Sequence, residues 1–190
     1  PKFERLLGWL AEAGWTGRGA LGARVVIFSE RVDTLEALRT LLVARLGLDK
    51  RPDAVALFHG ALKDTRQDEV IRDFGVEDGR VRILLASDAA SEGINLHYFC
   101  HRLVHFDIPW SLMTLEQRNG RVDRFGQRHP PDLRYLLTRP SDPGLRGDLR
   151  VLDRLIERER YVHENLGDAA WLMRCFDPAK EEAVVADAIE

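Results

Sequence analysis

Lysine is scarce in this chain of 190 residues. Of 28 basic residues only Lys2, Lys50, Lys63 and Lys180 are lysines, which leaves 28 − 4 = 24 arginines. A phosphate-cradling loop of the form G-x-x-x-x-G-K-[ST] needs a lysine between glycine and serine or threonine. None of the four lysines has these neighbours. The chain therefore lacks the loop that holds nucleotide phosphates in P-loop enzymes.

An excess of basic charge is also missing. The formal net charge is -3 and the isoelectric point is near 6.1. A stand-alone nucleic-acid binder is usually strongly basic, so we expect any contact with nucleic acid to be local or shared with another domain. The two cysteines, Cys100 and Cys175, form no CxxC pair, which argues against a zinc knuckle and against a disulfide framework.

Long apolar runs and an N-terminal signal peptide are absent as well. No apolar run approaches 18 residues, so we expect no membrane contact and a cytoplasmic location. Hydrophobic residues make up 45% of the chain and charged residues 31%, which predicts a folded domain with a buried core. The first residue is Pro1 instead of Met, which suggests a piece of a longer protein.

Short apolar runs alternate with amphipathic segments along the chain. The runs predict strands at 24–28, 54–58, 82–86, 102–107 and 133–138. The segments between them predict helices, among them a short one at 111–120. Because the strands are apolar throughout, we predict an α/β fold with a mostly parallel sheet covered by helices on both faces.

The pattern also predicts a division of the chain into three parts. Residues 1–23 form an N-terminal helix and a glycine-rich link, and residues 24–145 form the α/β domain. Residues 146–190 form a helical extension, because a strongly charged segment with one apolar side follows Pro143. We expect ligands at the carboxyl ends of the strands of the α/β domain.

Three arginines recur at even spacing in the stretch EQRNGRVDRFGQ, residues 116–127. Arg118, Arg121 and Arg124 repel one another unless an anion lies among them. A helix or tight turn that presents Arg121 and Arg124 can neutralise charge on a transferred phosphoryl group. Such a contact is worth about 10³- to 10⁵-fold in rate.

Other residues of the same stretch support this interpretation. Gly120 allows the backbone to approach a ligand closely, and the amide of Gln117 can both donate and accept hydrogen bonds. Spacing alone leaves an alternative open: a solvated basic turn paired with Glu116 and Asp123.

A second polar stretch, LLASDAASEGINL, runs from residue 84 to residue 96. A predicted buried strand leads into Ser87, a hydroxyl donor, and Asp88, which can cap a helix. Small residues, Gly93 and Asn95 follow, and they allow a backbone to approach phosphate or ribose. Taken alone, the stretch also fits an ordinary strand-to-loop turn.

Four stretches appear in a fixed order at the ends of successive predicted strands: RVVIFSE, FHG, ASDAASEGIN and QRNGRVDRFGQ. Over residues 24–137 this order resembles the second RecA-like domain of superfamily-two helicases and translocases. The ending RFGQ, residues 124–127, is similar to the Swi/Snf branch. Ser91 and Glu92, before Gly93, look closer to bacterial relatives than to eukaryotic chromatin remodellers.

The resemblance implies roles for individual residues. Arg121 and Arg124 would be catalytic and would reach ATP phosphates across an interdomain cleft, Arg124 as the arginine finger. The implied nucleotide-site residues are Gln117, Gly120, Glu92, Gly93 and Asn95. The residues implied to grip a nucleic-acid backbone, without reading its sequence, are Ser29, Glu30, His59, Gly60, Ser87 and Asp88.

The resemblance also implies the function of the whole assembly. The chain would be the second, C-terminal motor lobe of an ATP-dependent DNA translocase or helicase. An N-terminal RecA-like lobe of the same protein would hold most contacts to ATP and Mg²⁺, and double-stranded DNA would be the nucleic-acid partner. Asp68 and Glu69 begin like an acidic box, but they fall within a predicted helix, so we interpret them as solvated surface. We therefore expect the isolated chain not to hydrolyse ATP.

Alternatives remain at this point. One is a non-catalytic RecA-like module that docks other proteins, and another is a lobe of an RNA helicase. A metal site is not expected: His97, His101 and His105 recur every four residues, but a predicted strand begins among them, so they do not share one helical face.

Overall fold

A single parallel sheet lies at the centre of the fold. The computed structural model describes residues 1–17, 19, 21–88, 94–138 and 147–166. Within these residues the strands are β1 (Val25–Phe28), β2 (Val55–Phe58), β3 (Ile83–Ala86), β4 (Arg102–His105) and β5 (Asp132–Tyr135). Their order is β2-β3-β1-β4-β5, and each neighbouring pair is parallel. The predicted α/β class and parallel sheet are confirmed.

The strands read as apolar runs because helices cover both faces of the sheet. Every residue of β1 and of β3, which lie near the middle of the sheet, is buried. β5, at one edge, is only half-buried. A strand that is covered on both sides needs apolar side chains at successive positions instead of alternate ones.

The helices of the described chain are α1 (Lys2–Glu12), α2 (Val32–Arg45), α3 (Asp64–Phe74), α4 (Leu112–Asn119) and α5 (Asp148–Leu166). A short 3₁₀ turn, Pro52–Ala54, leads into β2. No helix within the described residues is long and apolar enough to cross a membrane.

Two hydrophobic clusters show which helix covers which face. Val25 and Ile27 of β1 share one cluster with the buried leucines of α1 and α2. Val26 and Phe28 share the other with Phe74 of α3. Successive side chains of a strand point to opposite faces, so β1 contributes to both cores, and helices lie on both faces as predicted.

The chain divides into two compact units. The first comprises Pro1–Phe106 and Arg118–Leu136 and holds the sheet, and the second comprises Asp107–Gln117 and Leu137–Glu190. Inside the second unit, the Ser111 hydroxyl accepts a hydrogen bond from the Thr114 N–H at the start of α4. The three-part division at residues 23 and 145 stays a prediction.

Helix α2 offers a matched pair of leucines for a test of the core. Leu42 is fully buried and Leu41 is 46% exposed. We expect Leu42→Ala to lower the free energy of unfolding by about 2–5 kcal/mol, because it removes apolar contacts and leaves a cavity. Leu41→Ala should change it by less than about 0.5 kcal/mol. Urea unfolding followed by circular dichroism measures both, and equal losses would contradict the assigned face of α2.

Candidate functional site

Three neighbouring strands end at the same edge of the sheet, and the predicted nucleic-acid residues follow them there. Ser29 and Glu30 follow β1, His59 follows β2, and Ser87 follows β3. Backbone bonds join these ends: the Ser29 N–H donates to the Ala86 carbonyl at 3.2 Å, and the Ser87 N–H donates to the Phe58 carbonyl at 2.9 Å. The structure therefore brings the predicted residues together at the carboxyl edge of the sheet.

These residues differ in accessibility. Ser29, Ser87 and His59 are buried, whereas Glu30 and Gly60 are exposed. The Ser29 hydroxyl accepts a hydrogen bond from the Arg31 N–H at 3.4 Å, which helps to shape the turn before α2. A ligand that approaches this edge therefore meets Glu30 and Gly60 before it meets either serine hydroxyl.

Arg118 forms a buried ion pair at this edge. Its Nε lies 2.6 Å from Asp88 Oδ1 and its Nη2 lies 2.7 Å from Asp88 Oδ2. The arginine is 1% exposed, and its guanidinium lies 5.5 Å from the centre of the Phe28 ring. Asp88 is thus the anion that the regular arginine spacing requires, at least for the first of the three cations.

His105, at the end of β4, fixes the end of α4 by a second contact. His105 Nε2 lies 2.9 Å from Asn119 Oδ1, and its ring stacks on the Tyr135 ring with centroids 4.6 Å apart. Burial, and next the nearby positive charge of Arg118, lower the pKa of His105 from 6.5 to about 3, although the Asn119 hydrogen bond opposes the shift. The imidazole is therefore neutral at physiological pH.

The other two arginines lie beyond the helix, because α4 ends at Asn119. Arg121 Nη1 donates to the Ile94 carbonyl at 3.3 Å, and Arg124 Nη1 donates to the Asn95 side-chain oxygen. The Leu96 N–H donates to the Arg121 carbonyl at 3.1 Å. The segment 120–127, which we name the arginine turn, therefore lies against residues 94–96.

Arg124 is the more accessible of the two. Its side chain is exposed, and with the described residues it forms no ion pair. Asp123, the predicted partner of a solvated basic turn, forms no ion pair with the described residues either. Asp123 therefore gives no support to the alternative of a solvated basic turn. The structure does bring together Arg124 and Asn95, two residues predicted for one site.

Gln127 fixes the far end of the arginine turn. Its Nε2 donates to the Cys100 carbonyl at 3.0 Å and to the Val122 carbonyl at 2.9 Å. Its Oε1 accepts hydrogen bonds from the backbone N–H groups of Arg128 and His129. The preceding Gly126 has φ of +95°, a conformation that other residues rarely adopt. The last residues of the RFGQ ending therefore set the path of the chain.

The remaining predicted residues have different outcomes. Gln117 is half-buried on α4, and Gly120 follows the end of that helix. Glu92 and Gly93 lie outside the described residues. Asp68 and Glu69 are exposed on α3, as expected.

No group of three or more His, Cys, Asp and Glu side chains that could hold a metal ion occurs among the described residues. Burial raises the pKa of the Cys100 thiol to about 12, although hydrogen bonds to it and the nearby arginines oppose the shift. The thiol is therefore neutral, and it is a poor metal ligand and nucleophile.

The sequence reasoning assigned no role to Arg118, Gln127 or His105. Arg118 had a usable signal, because a cation amid a predicted site needs a carboxylate, and Asp88 follows the predicted strand 82–86. Gln127 stands at the end of the RFGQ motif, but its partner Cys100 lies 27 residues away in sequence and cannot be deduced from residue type. His105 recurs with His97 and His101 at four-residue spacing, but this pattern does not indicate a contact with Asn119.

Comparison with known proteins gives the chain a family. Residues 2–126 match the model of the helicase conserved C-terminal domain. In sequence, the chain is 31% identical over 132 residues to the RNA polymerase-associated protein RapA of Vibrio parahaemolyticus serotype O3:K6, a match that covers 70% of this chain and 13% of that protein. It is 34% identical over 116 residues to the uncharacterized ATP-dependent helicase YqhH of Bacillus subtilis strain 168, covering 61% of this chain and 19% of that protein.

A solved structure agrees with these matches. The crystal structure of the C-terminal part of the Fun30 ATPase domain superposes with a TM-score of 0.54 and 26% sequence identity, and the match covers 63% of this chain and 36% of that one. The parallel sheet is therefore RecA-like, as predicted. The chain spans less than a fifth of the length of the curated relatives described above.

The buried ion pair predicts an asymmetry between two carboxylates. We expect Asp88→Ala to lower the free energy of unfolding by about 1–3 kcal/mol, because it leaves the Arg118 guanidinium buried without its carboxylate. This loss of free energy is smaller than for a fully buried pair, because Asp88 is 29% exposed. Glu69→Ala, which breaks the exposed pair with Arg66, should cost less than about 0.5 kcal/mol. Urea unfolding compares them, and equal costs would show that the Asp88 pair contributes no more than a surface pair.

His105 predicts a pH dependence of stability. Its folded-state pKa of about 3 lies below the ordinary 6.5, so as the pH falls through this window the unfolded chain binds a proton that the folded chain does not. His105 therefore lowers the free energy of unfolding by up to about 1.4 kcal/mol per pH unit between these two values. We expect His105→Gln to remove this part of the slope, measured by urea unfolding at several pH values. Parallel slopes in both proteins would contradict a buried neutral imidazole.

Proposed function

We propose, because this chain belongs to the helicase conserved C-terminal domain family, that it is the second motor lobe of an ATP-dependent DNA translocase or helicase. A further RecA-like lobe of the same protein would form the other wall of the nucleotide site. The observation that carries the proposal is the arginine turn, which begins after α4 is tied to Asp88, ends at Gln127 beside the residue Cys100 that precedes β4, and presents the exposed guanidinium of Arg124.

The side chains present fit an ATP phosphate. Arg124 forms no ion pair with the described residues, and its side chain donates a hydrogen bond to the neutral amide oxygen of Asn95. A guanidinium matches the oxygens of a phosphate with several donors at once. An anionic ligand can therefore replace the Asn95 contact without breaking an internal ion pair.

ATP would supply the phosphoryl group that is transferred to water. Arg124, and beside it Arg121, would donate hydrogen bonds to the phosphate oxygens and neutralise the charge that grows on them. Asn95 would hold the Arg124 side chain in position before nucleotide binds. Gln117, Gly120, Glu92 and Gly93 remain proposed members of the same site.

Magnesium would be held by the other lobe. Mg²⁺ at a nucleotide is bound by one or two carboxylates together with phosphate oxygens. The part of the chain that the structure describes contains no cluster of acidic and histidine ligands, and the whole chain lacks a lysine in the P-loop pattern. The division of labour between two lobes accounts for both observations.

Nucleic acid would lie along the carboxyl edge of the sheet. Glu30 and Gly60 are exposed there, and the turns that carry them follow β1 and β2, which lie on either side of β3. Ser29, His59, Ser87 and Asp88 would shape these turns from beneath. Contacts of this kind recognise the sugar-phosphate backbone and not the base sequence.

Double-stranded DNA is the substrate we propose, because the RFGQ ending is similar to the Swi/Snf branch. Two other functions stay open: a lobe of an RNA helicase, and a protein-docking module without catalysis. Stimulation of the full-length ATPase by duplex DNA, by single strands or by RNA separates the first two. The cytoplasmic location also stays a prediction.

Substitution of the arginines in the full-length protein tests the proposal. We expect Arg124→Ala to lower the kcat of ATP hydrolysis by about 10³- to 10⁵-fold, because charge on the transferred phosphoryl group is no longer neutralised. Arg121→Ala should also lower kcat. Arg45→Ala is the matched control, because Arg45 is an exposed arginine on α2 whose ion-pair partner is Glu4.

The outcomes are distinct. A kcat of Arg124→Ala equal to that of Arg45→Ala would contradict the arginine-finger role. The isolated chain of 190 residues should show no ATP hydrolysis above background, and robust hydrolysis that depends on Arg124 would contradict the requirement for a second lobe.

A further inference from the structure

The arginine turn displays a fully exposed aromatic side chain. Phe125 lies between Arg124 and Gly126, and its relative exposure is 102%. No other large hydrophobic residue among the described ones is as exposed. A phenylalanine gains about 1.5–3 kcal/mol when it is buried, so the exposed ring is a source of binding energy that the described fold does not use.

The exposure is built into the turn. Val122, three residues before Phe125, is fully buried in the core, and Gln127, two residues after it, makes four hydrogen bonds to backbone groups. Gly126 supplies the left-handed conformation between them. With both flanks fixed, the backbone holds the phenylalanine outward.

Two further aromatic side chains extend this surface. Tyr98 is 68% exposed and Phe99 is 43% exposed. A Cβ atom on Gly126 would lie 3.8 Å from His97 Nε2, and the His97 ring is 4.1 Å from the Tyr98 ring. The turn that carries Phe125 therefore adjoins the segment that carries Tyr98 and Phe99, and we name these three side chains the aromatic patch.

The composition of this surface is typical of a protein interface. Aromatic side chains and arginine are enriched among the residues that dominate binding energy, and here Phe125 directly follows the exposed Arg124. Arg24 also lies over the Phe99 ring, with its guanidinium carbon 5.4 Å from the ring centre. The nearly buried Arg24 therefore contacts Phe99, which remains partly exposed.

We propose that the aromatic patch, led by Phe125, seats in an apolar pocket of the N-terminal motor lobe when the two lobes close on ATP. This inference rests on the proposed function. It assigns Phe125 a positioning role: the ring anchors the arginine turn against the other lobe, so that Arg124 meets the phosphates in a fixed orientation.

Chain geometry favours the other lobe as the occupant. Consecutive Cα atoms are about 3.8 Å apart, so a surface that brings a phosphate to Arg124 also comes within reach of Phe125. Nucleic acid fits less well, because Tyr98 and Phe99 shortly precede β4, at the edge where strands begin, whereas the proposed nucleic-acid residues follow the strands. The other lobe is the partner that must approach the arginine turn in every catalytic cycle.

The test uses the full-length protein with a fluorescent dye on each lobe. Energy transfer reports lobe closure as a non-hydrolysable ATP analogue is added, and ATP hydrolysis is measured in parallel. We expect Phe125→Ala to lower the equilibrium constant for lobe closure about ten- to a hundredfold. The kcat of ATP hydrolysis should fall as well. Phe125→Leu, which keeps an apolar side chain, should restore most of both.

Leu41→Ala is the matched control, because Leu41 is another exposed apolar residue and belongs to α2. It should leave closure and kcat unchanged. Phe125 makes no core contact, so the thermal unfolding midpoint of Phe125→Ala should equal that of the wild-type protein. This separates a positioning role from a loss of folding.

Each remaining outcome decides the question. If Phe125→Ala closes like Leu41→Ala while Arg124→Ala still abolishes hydrolysis, the inference is wrong and the proposed function stands. If neither Arg124→Ala nor Phe125→Ala affects hydrolysis, the proposed function itself fails. Loss of DNA affinity without a change in closure would assign the patch to base stacking, and loss of self-association would assign it to a second copy of the chain. Either result would overturn the inference.

Discussion

The fold of the candidate site depends on one buried ion pair. Asp88, which follows β3, accepts two hydrogen bonds from the guanidinium of Arg118 near the end of α4. A charged pair with two parallel hydrogen bonds fixes orientation as well as distance. Because the guanidinium is almost completely buried, its loss of hydration must be offset by the carboxylate. The pair thereby ties the helix end to the carboxyl edge of the sheet, and the arginine turn starts from this fixed point.

The two ends of the arginine turn are held by different chemistry. At its start, the Asp88–Arg118 pair and the contact between His105 and Asn119 hold the end of α4. At its far end, where the chain has no regular secondary structure, the Gln127 side chain holds the backbone through hydrogen bonds. Between these ends the chain presents Arg124 and Phe125 to solvent. A rigid support with exposed cationic and apolar groups is what the proposed site between two lobes would require.

The sequence predicts the sheet well and the site only in part. Runs such as VVIF and ILLA are apolar and short, so they predict buried parallel strands. Each of the five predicted strands overlaps an observed one. Because parallel strands end at one edge, residues such as Ser29 and Ser87 could be grouped in advance. The different environments of Arg118 and Arg124 could not be predicted from their equal spacing. Arg118 lies on α4 and pairs with a carboxylate 30 residues away in sequence, whereas Arg124 follows the end of the helix. The four hydrogen bonds of Gln127 likewise depend on the turn that they stabilise.

The most direct test of this account is a structure of the full-length protein with a non-hydrolysable ATP analogue. The account predicts that the Asp88–Arg118 pair is preserved and that the Arg124 guanidinium leaves Asn95 to lie at hydrogen-bonding distance, about 2.7–3.2 Å, from oxygens of the terminal phosphate. A structure in which the lobes enclose the nucleotide while Arg124 remains on Asn95, and the terminal phosphate is contacted by the other lobe alone, would contradict it.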